Sequence, residues 1–331
     1  MDGVLLFVTG IIIFLTGLKF VADGVQTLSG KRTEKILRKA ASNRFSSCVF
    51  GVFISALAQS GAAVNIAAVS LADSGALAFM NAAAMEIGSN VGTTVTAQLA
   101  SLAGFTGGKI APVLLLAVSF FAYVFFDGKD EFKAIVSKTV FGLSLVLSGV
   151  FLVSLSSPLL TELTLVKTLL TIKSPPILLL NGFFIAAFTS SSSALSAVLV
   201  IFAASGKVNF LSATYLIVGA NIGSCVAVYL LSLRKGENAR KTALFNFVFN
   251  LYGGVLYLVF LTLFHSRLAL THATGRSVAA FHTLFNVAAA AFALPVLKPL
   301  TKLCAFIVRA DLDKKYKNLT GNSGKKVRIA K

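Results

Sequence analysis

The chain has 331 residues, of which 56% are hydrophobic and only 13% charged, with a formal net charge of +18. A soluble domain carries about 25% charged residues, so this composition excludes one, and apolar blocks approaching the ~20 residues of a bilayer span recur throughout. The blocks are unbroken rather than alternating, which excludes a strand barrel. The basic residues fall in short segments between blocks, which argues against nucleic-acid binding.

In chain order, single crossings are expected at about 4–21, 76–102, 111–126, 138–156, 211–233, 243–264 and 278–297. The opening MDGVLLFVTG has no basic residue ahead of its apolar run and reads as a retained helix, not a cleaved signal. Lys19 and Asp23, four apart near the end of that helix, are suited to snorkelling or to pairing. Two more apolar segments, 45–72 and 177–204, are short for two full spans and carry polar residues midway. They read as re-entrant hairpins; a single long tilted span is the competing reading. Cys48, Cys225 and Cys304 are far apart and read as small buried hydrophobes. The tail DLDKKYKNLTGNSGKKVRIAK reads as disordered.

One offset relates the two halves. FISALAQSGAA at 53–63 matches FIAAFTSSSSA at 184–194, and GSNVG at 88–92 matches GANIG at 219–223, both 131 residues apart. Ser74-Gly75 returns as Ser205-Gly206 at the same distance. The chain is therefore read as two copies of one unit, 1–130 and 131–305, followed by a basic cytoplasmic tail at 306–331. With both hairpins re-entrant, one membrane face collects 21 Lys and Arg (31–44, 127–138, 234–241 and from Arg309) and the other five. The positive-inside rule then sets the N-terminus outside and the C-terminus in the cytoplasm, in the cell membrane. On that assignment the hairpins enter from opposite faces, and the two copies are inverted. The expected fold is thus an all-α polytopic membrane protein of two inverted-topology repeats, each with a re-entrant hairpin and a broken transmembrane helix.

Polar breaks near mid-membrane in such a repeat are the pattern of a secondary transporter. Non-helical backbone is tolerated at that depth only where it is buried in protein or lines a cavity. Freed N–H groups at a half-helix N-terminus favour an anion, while freed carbonyls and hydroxyls favour Na⁺. Four elements supply these groups: the tips Gln59-Ser60-Gly61 and Thr189–Ser193, and the glycine-flanked segments 88–92 and 219–223, read as unwound. Thr93, Thr94 and Ser224 follow the glycine segments directly. Close packing of small residues is the alternative explanation. Glu86, two residues before the first glycine segment, is a candidate to bind a cation or carry a proton, because a carboxylate at membrane depth is costly. His282 on the last helix reads either as packed and hydrogen-bonded or as a site of pH response.

These segments resemble the type II sodium-dependent phosphate cotransporter family and its bacterial members. That family carries a QSSSA-type motif at each hairpin tip and a GANIGTT-like motif downstream in each half. The likeness extends to GIIIFLTGLKFVADGVQTLSG at the start and AAFHTLFNV around His282. It implies Na⁺-coupled symport of inorganic phosphate by alternating access, with no enzymatic activity and no organic cofactor. Phosphate would then lie at Gln59, Ser60, Ser190, Ser191, Ser192 and Ser193. Na⁺ would lie at Ser89, Asn90, Thr93, Thr94, Thr189, Asn221 and Ser224, with Glu86 joining them.

The sequence departs from the family at several points. Gly61 and Ala62 replace two serines, Ser190 replaces the glutamine, and Ser224-Cys225 follow GANIG where threonines are usual. Asn246 stands where relatives often have histidine. These changes keep three alternatives open: a carrier of another oxyanion, one using another cation, or a non-transporting scaffold or sensor. An intramembrane serine hydrolase lacks a base and an orienting group near Ser190–Ser193.

Overall fold

The computed structural model describes residues 2–29, 43–101, 111–128, 131–160, 172–269 and 271–320. Most of the basic segment 31–44, Lys109, Lys167 and the tail beyond 320 lie outside these residues, as do the side chains of His265 and Arg267. Regular structure among the described residues is entirely helical. In order the helices are α1 (Asp2–Ser29), α2 (Arg44–Ala58), α3 (Gly61–Asp73), α4 (Phe79–Gly92), α5 (Thr94–Ser101), α6 (Ala111–Phe126) and α7 (Glu131–Leu160). There follow α8 (Pro175–Thr189), α9 (Ser192–Ala204), α10 (Phe210–Gly223), α11 (Cys225–Ser232), α12 (Glu237–Ala269), α13 (Gly275–Ala293) and α14 (Leu297–Thr320).

The 131-residue offset reappears in the backbone. Each boundary of α2, α3, α4 and α5 recurs 131 residues on in α8, α9, α10 and α11. The helix pairs α2–α3 and α8–α9 are each broken by one residue in the left-handed region, Gln59 (φ 50) and Ser190 (φ 54). Gly75 (φ 75) and Gly206 (φ 67) make the matching turn at the far end of each pair. Helices α1 and α7 run antiparallel, with Gly10 against Gly149 and Gly17 against Gly142.

Four described stretches are long and apolar enough to cross a membrane: Asp2–Val21, Phe132–Ser156, Phe210–Ser232 and Glu237–Phe264. A fifth is reached only if the bent pair α13–α14, whose halves, Gly275–Ala293 and Leu297–Asp313, meet at 83°, counts as one span. Pro295 lies in the intervening turn, where its missing N–H ends the α13 ladder. The crossing expected to run to 297 therefore stops at Ala293. Two other expected crossings are not among these five. The α6 helix has 16 residues, and α4–α5 is diluted by glycine, serine, asparagine and threonine.

Three further expectations are corrected. The segments Gly88–Gly92 and Gly219–Gly223 are helical, not unwound. Their glycines serve close approach: a Cβ at Gly88 would overlap the Cys48 carbonyl of α2, and one at Gly219 the Leu179 carbonyl of α8. What interrupts each helix is the single residue Thr93 or Ser224, whose N–H still bonds four residues back. Residues 311–320 of the tail continue α14 as helix, held to the start of α12 by Arg240–Asp311 at 3.4 Å and Arg309–Glu237 at 3.1 Å. Asp23 pairs with Lys138 of α7 at 3.6 Å, not with Lys19.

Candidate functional site

Each helix pair turns through a residue that glycine would normally occupy, because L side chains are disfavoured in the left-handed region. Gln59 and Ser190 hold it nevertheless, and the next residue caps the following helix. Ser60 Oγ accepts from Ala63 N and Ser191 Oγ from Ala194 N, both at 3.2 Å. The caps satisfy one N–H in each first turn, and the earliest N–H groups have no intrahelical acceptor. Gln59 is tied twice: its amide donates to the Ala56 carbonyl and its Oε1 accepts from Thr96 Oγ1 at 2.8 Å.

Both turns open on one cavity of about 60 Å³, bounded by Ser60, Gly61 and Ala62 from the first and Ser190 to Ser193 from the second. A water needs roughly 10–15 Å³ of such space, so the cavity admits several waters or a small polyatomic ion. Asn65, Ser89, Asn90, Thr93 and Ser224 complete the wall, and no charged side chain is among these lining residues. The positive ends of α3 and α9 therefore face a shared polar space with hydroxyls on both sides. Ser191 Oγ and Ser193 Oγ lie 3.2 Å apart.

Of the expected residues, Ser60, Ser89, Asn90, Thr93, Ser190, Ser191, Ser192, Ser193 and Ser224 meet at this cavity. Gln59, Thr94, Thr189, Asn221 and Glu86 do not line it. Thr94 Oγ1 donates to the Val91 carbonyl at 2.8 Å. Thr189 is exposed and turned back to the Ile185 carbonyl at 2.8 Å. Asn221 Nδ2 donates to Asn286 Oδ1 at 3.0 Å. Glu86 is fully buried, and neither carboxylate oxygen has a hydrogen-bond partner. His282 is likewise buried with both ring nitrogens unpartnered, so it is packed without the hydrogen bond expected of it.

Sequence reading missed Asn65, although an asparagine inside an apolar helix is costly enough to flag itself. It also read Asn246 only as a lost histidine. Asn246 Oδ1 accepts from Asn90 Nδ2 at 3.4 Å and from Asn250 Nδ2 at 3.1 Å. Asn250 continues to Cys225 Sγ at 3.2 Å. The three cysteines are buried and free, as expected. Among the described residues, no group of three His, Cys, Asp or Glu could hold a metal ion.

Comparison with known proteins bears on this arrangement. The chain is similar to the "Putative inorganic phosphate export protein YjbB" of Escherichia coli (strain K12), 26% identical over 293 residues, 87% of this chain and 53% of that protein. The protein of that name in Salmonella typhimurium is 25% identical over the same length. "Uncharacterized protein YqeW" of Bacillus subtilis (strain 168) is 25% identical over 313 residues, 93% of this chain and 96% of that one. The chain thus spans about half the length of the phosphate-export relatives it matches. No solved structure matches. A model of the Na⁺/Pi-cotransporter family matches residues 13–155 and 161–298, nearly the whole membrane portion. This membrane protein belongs to the Na⁺/Pi-cotransporter family.

Proposed function

We propose that the protein carries inorganic phosphate across the cell membrane in symport with Na⁺, by alternating access around the cavity between the two helix turns. The observation that carries this reading is the convergence of two helix N-termini, α3 and α9, on one hydroxyl-lined space with no charged side chain. Such a space suits an anion through dipoles and N–H groups. With no arginine in the wall, the anion's charge is left for a co-bound cation to balance, which gives coupling a physical basis. Asn90, Thr93 and Ser224 line the cavity and would serve that cation. Asn221, Thr94 and Glu86 would support it from behind the wall, and Gln59 would set the first turn.

The matching helix boundaries at offset 131 and the antiparallel α1–α7 contact support two oppositely oriented copies, with α2–α3 and α8–α9 as re-entrant hairpins. The basic segments support an outside N-terminus and a cytoplasmic C-terminus. The relatives' names supply phosphate and the direction of export; symport here leaves direction to the ion gradients.

Gly61 and Ala62 remove two hydroxyls from the first turn. That observation favours, as the second reading, a carrier of the same fold taking another oxyanion or another cation. Uptake of radiolabelled phosphate into proteoliposomes tests both. An inward Na⁺ gradient should drive it, and equal rates with K⁺ or a proton gradient would reject the Na⁺ coupling. Uptake of labelled sulfate or arsenate with none of phosphate would favour the second reading.

A further inference from the structure

Buried polar atoms left without a hydrogen-bond partner are rare and ask for an explanation. Among the described residues the second half has three such atoms, all nitrogens (Arg240 Nε and both of His282), whereas every unpartnered oxygen lies in the first half. Ser55 Oγ, Asn65 Oδ1, Ser89 Oγ and both Glu86 oxygens lie unpartnered in α2, α3 and α4. At an offset of 131 their counterparts are Ala186, Ser196, Ala220 and Ile217. Three of those are apolar. The fourth, Ser196, is satisfied by donating to the Ser192 carbonyl at 2.9 Å.

Two of the residues that carry these atoms also line the cavity. Asn65 is 7% exposed and Ser89 0%, and both line the wall, from adjacent helices α3 and α4. Ser89 differs from Thr93 and Thr94, whose hydroxyls turn back onto their own helix at 2.7 and 2.8 Å. An amide oxygen and a hydroxyl oxygen held with lone pairs unused, and with no carbonyl or N–H to answer them, suit a hard cation, which takes oxygen ligands. Glu86, three residues before Ser89 and so on the same side of α4, adds a carboxylate behind the pair.

We infer that Asn65 Oδ1 and Ser89 Oγ form a subsite for a small monovalent cation in the first half, and that the second half has no equivalent. The inference rests on the reading of the cavity as an ion-coupled anion site and deepens it. Coupling is then lopsided: the first half adds two oxygen ligands that the second half does not match.

Thermal unfolding of the purified full chain, without phosphate, tests this in Na⁺, Li⁺, K⁺ or choline chloride at matched ionic strength. Wild type should be stabilised in proportion to Na⁺ and unaffected by choline. Asn65→Ala and Ser89→Ala should each raise the half-stabilising concentration by about tenfold or more. Asn65→Asp, which keeps an oxygen there, should hold it near wild type, and Ser196→Ala should leave it unchanged. If both alanine variants respond to Na⁺ as wild type does, or if no monovalent cation stabilises wild type, the subsite does not exist. Phosphate uptake is scored separately. Its absence alongside intact cation stabilisation would overturn the transport reading and leave the subsite standing.

Discussion

The side-chain amide of Asn221 donates to the carbonyl oxygen of Asn286 at 3.0 Å, joining α10 to α13 within the buried core. Its counterpart 131 residues earlier, Asn90, makes the same kind of bond to Asn246 of α12 at 3.4 Å. Each asparagine of the paired glycine segments is thus held by another from a helix outside the repeated hairpin block. Replacing Asn286 by leucine leaves Asn221 Nδ2 without that acceptor, a loss of about 1–3 kcal/mol. The expected result is a lower melting temperature, read by thermal unfolding in detergent. Asn246→Leu should cost a similar amount.

Ser191→Ala removes both the cap of α9 and a cavity hydroxyl. The cap contributes about 1 kcal/mol, so folding should survive while transport falls. In proteoliposomes the half-saturating phosphate concentration should rise. Ser60→Ala should do the same from the other wall. Unchanged kinetics in both would mean the capping hydroxyls hold backbone only.

Ser190→Gly should separate stability from activity. Glycine adopts the left-handed backbone freely, and relief of a strained L residue there contributes about 1 kcal/mol. The variant should melt at or above the wild-type temperature and transport more slowly, because Ser190 lines the cavity. Gln59→Gly should gain less, because it also loses the bond from Thr96.

Gly219→Ala places a methyl group into the Leu179 carbonyl of α8, and Gly88→Ala one into the Cys48 carbonyl of α2. Overpacking of this kind typically costs about 1–3 kcal/mol. With backbone on the far side, the upper end is expected. Size-exclusion profiles and melting curves should deteriorate in both. Gly75→Ala has no neighbouring atom to meet and only a positive φ to tolerate, so its effect should be milder.

The repeat was legible because the two copies keep their turn residues at one ungapped spacing, so Gln59 and Ser190 announce the same bend. Family membership followed from those motifs together with GSNVG and GANIG. The conformation of the glycine segments was not legible. Glycine serves an unwound turn and a close helix contact equally well, and the residue that decides, Cys48 or Leu179, lies forty residues away on another helix. Distance along the chain also hid the Asn90–Asn246 bond and the pairing of Asp23 with Lys138. The polar stretch from Asp311 resembled a loose tail because the ion pairs at its root, Arg240–Asp311 and Glu237–Arg309, reach some seventy residues upstream. Asn65 was within reach, an amide in the middle of the otherwise apolar GAAVNIAAV.

The cavity wall contains hydroxyls, amides and backbone, and nothing among its lining residues that gains or loses a proton near neutrality. Acidifying the medium therefore titrates none of the lining side chains, while phosphate itself changes charge in that range. Preference between its singly and doubly charged forms would show directly in how half-saturation moves with pH.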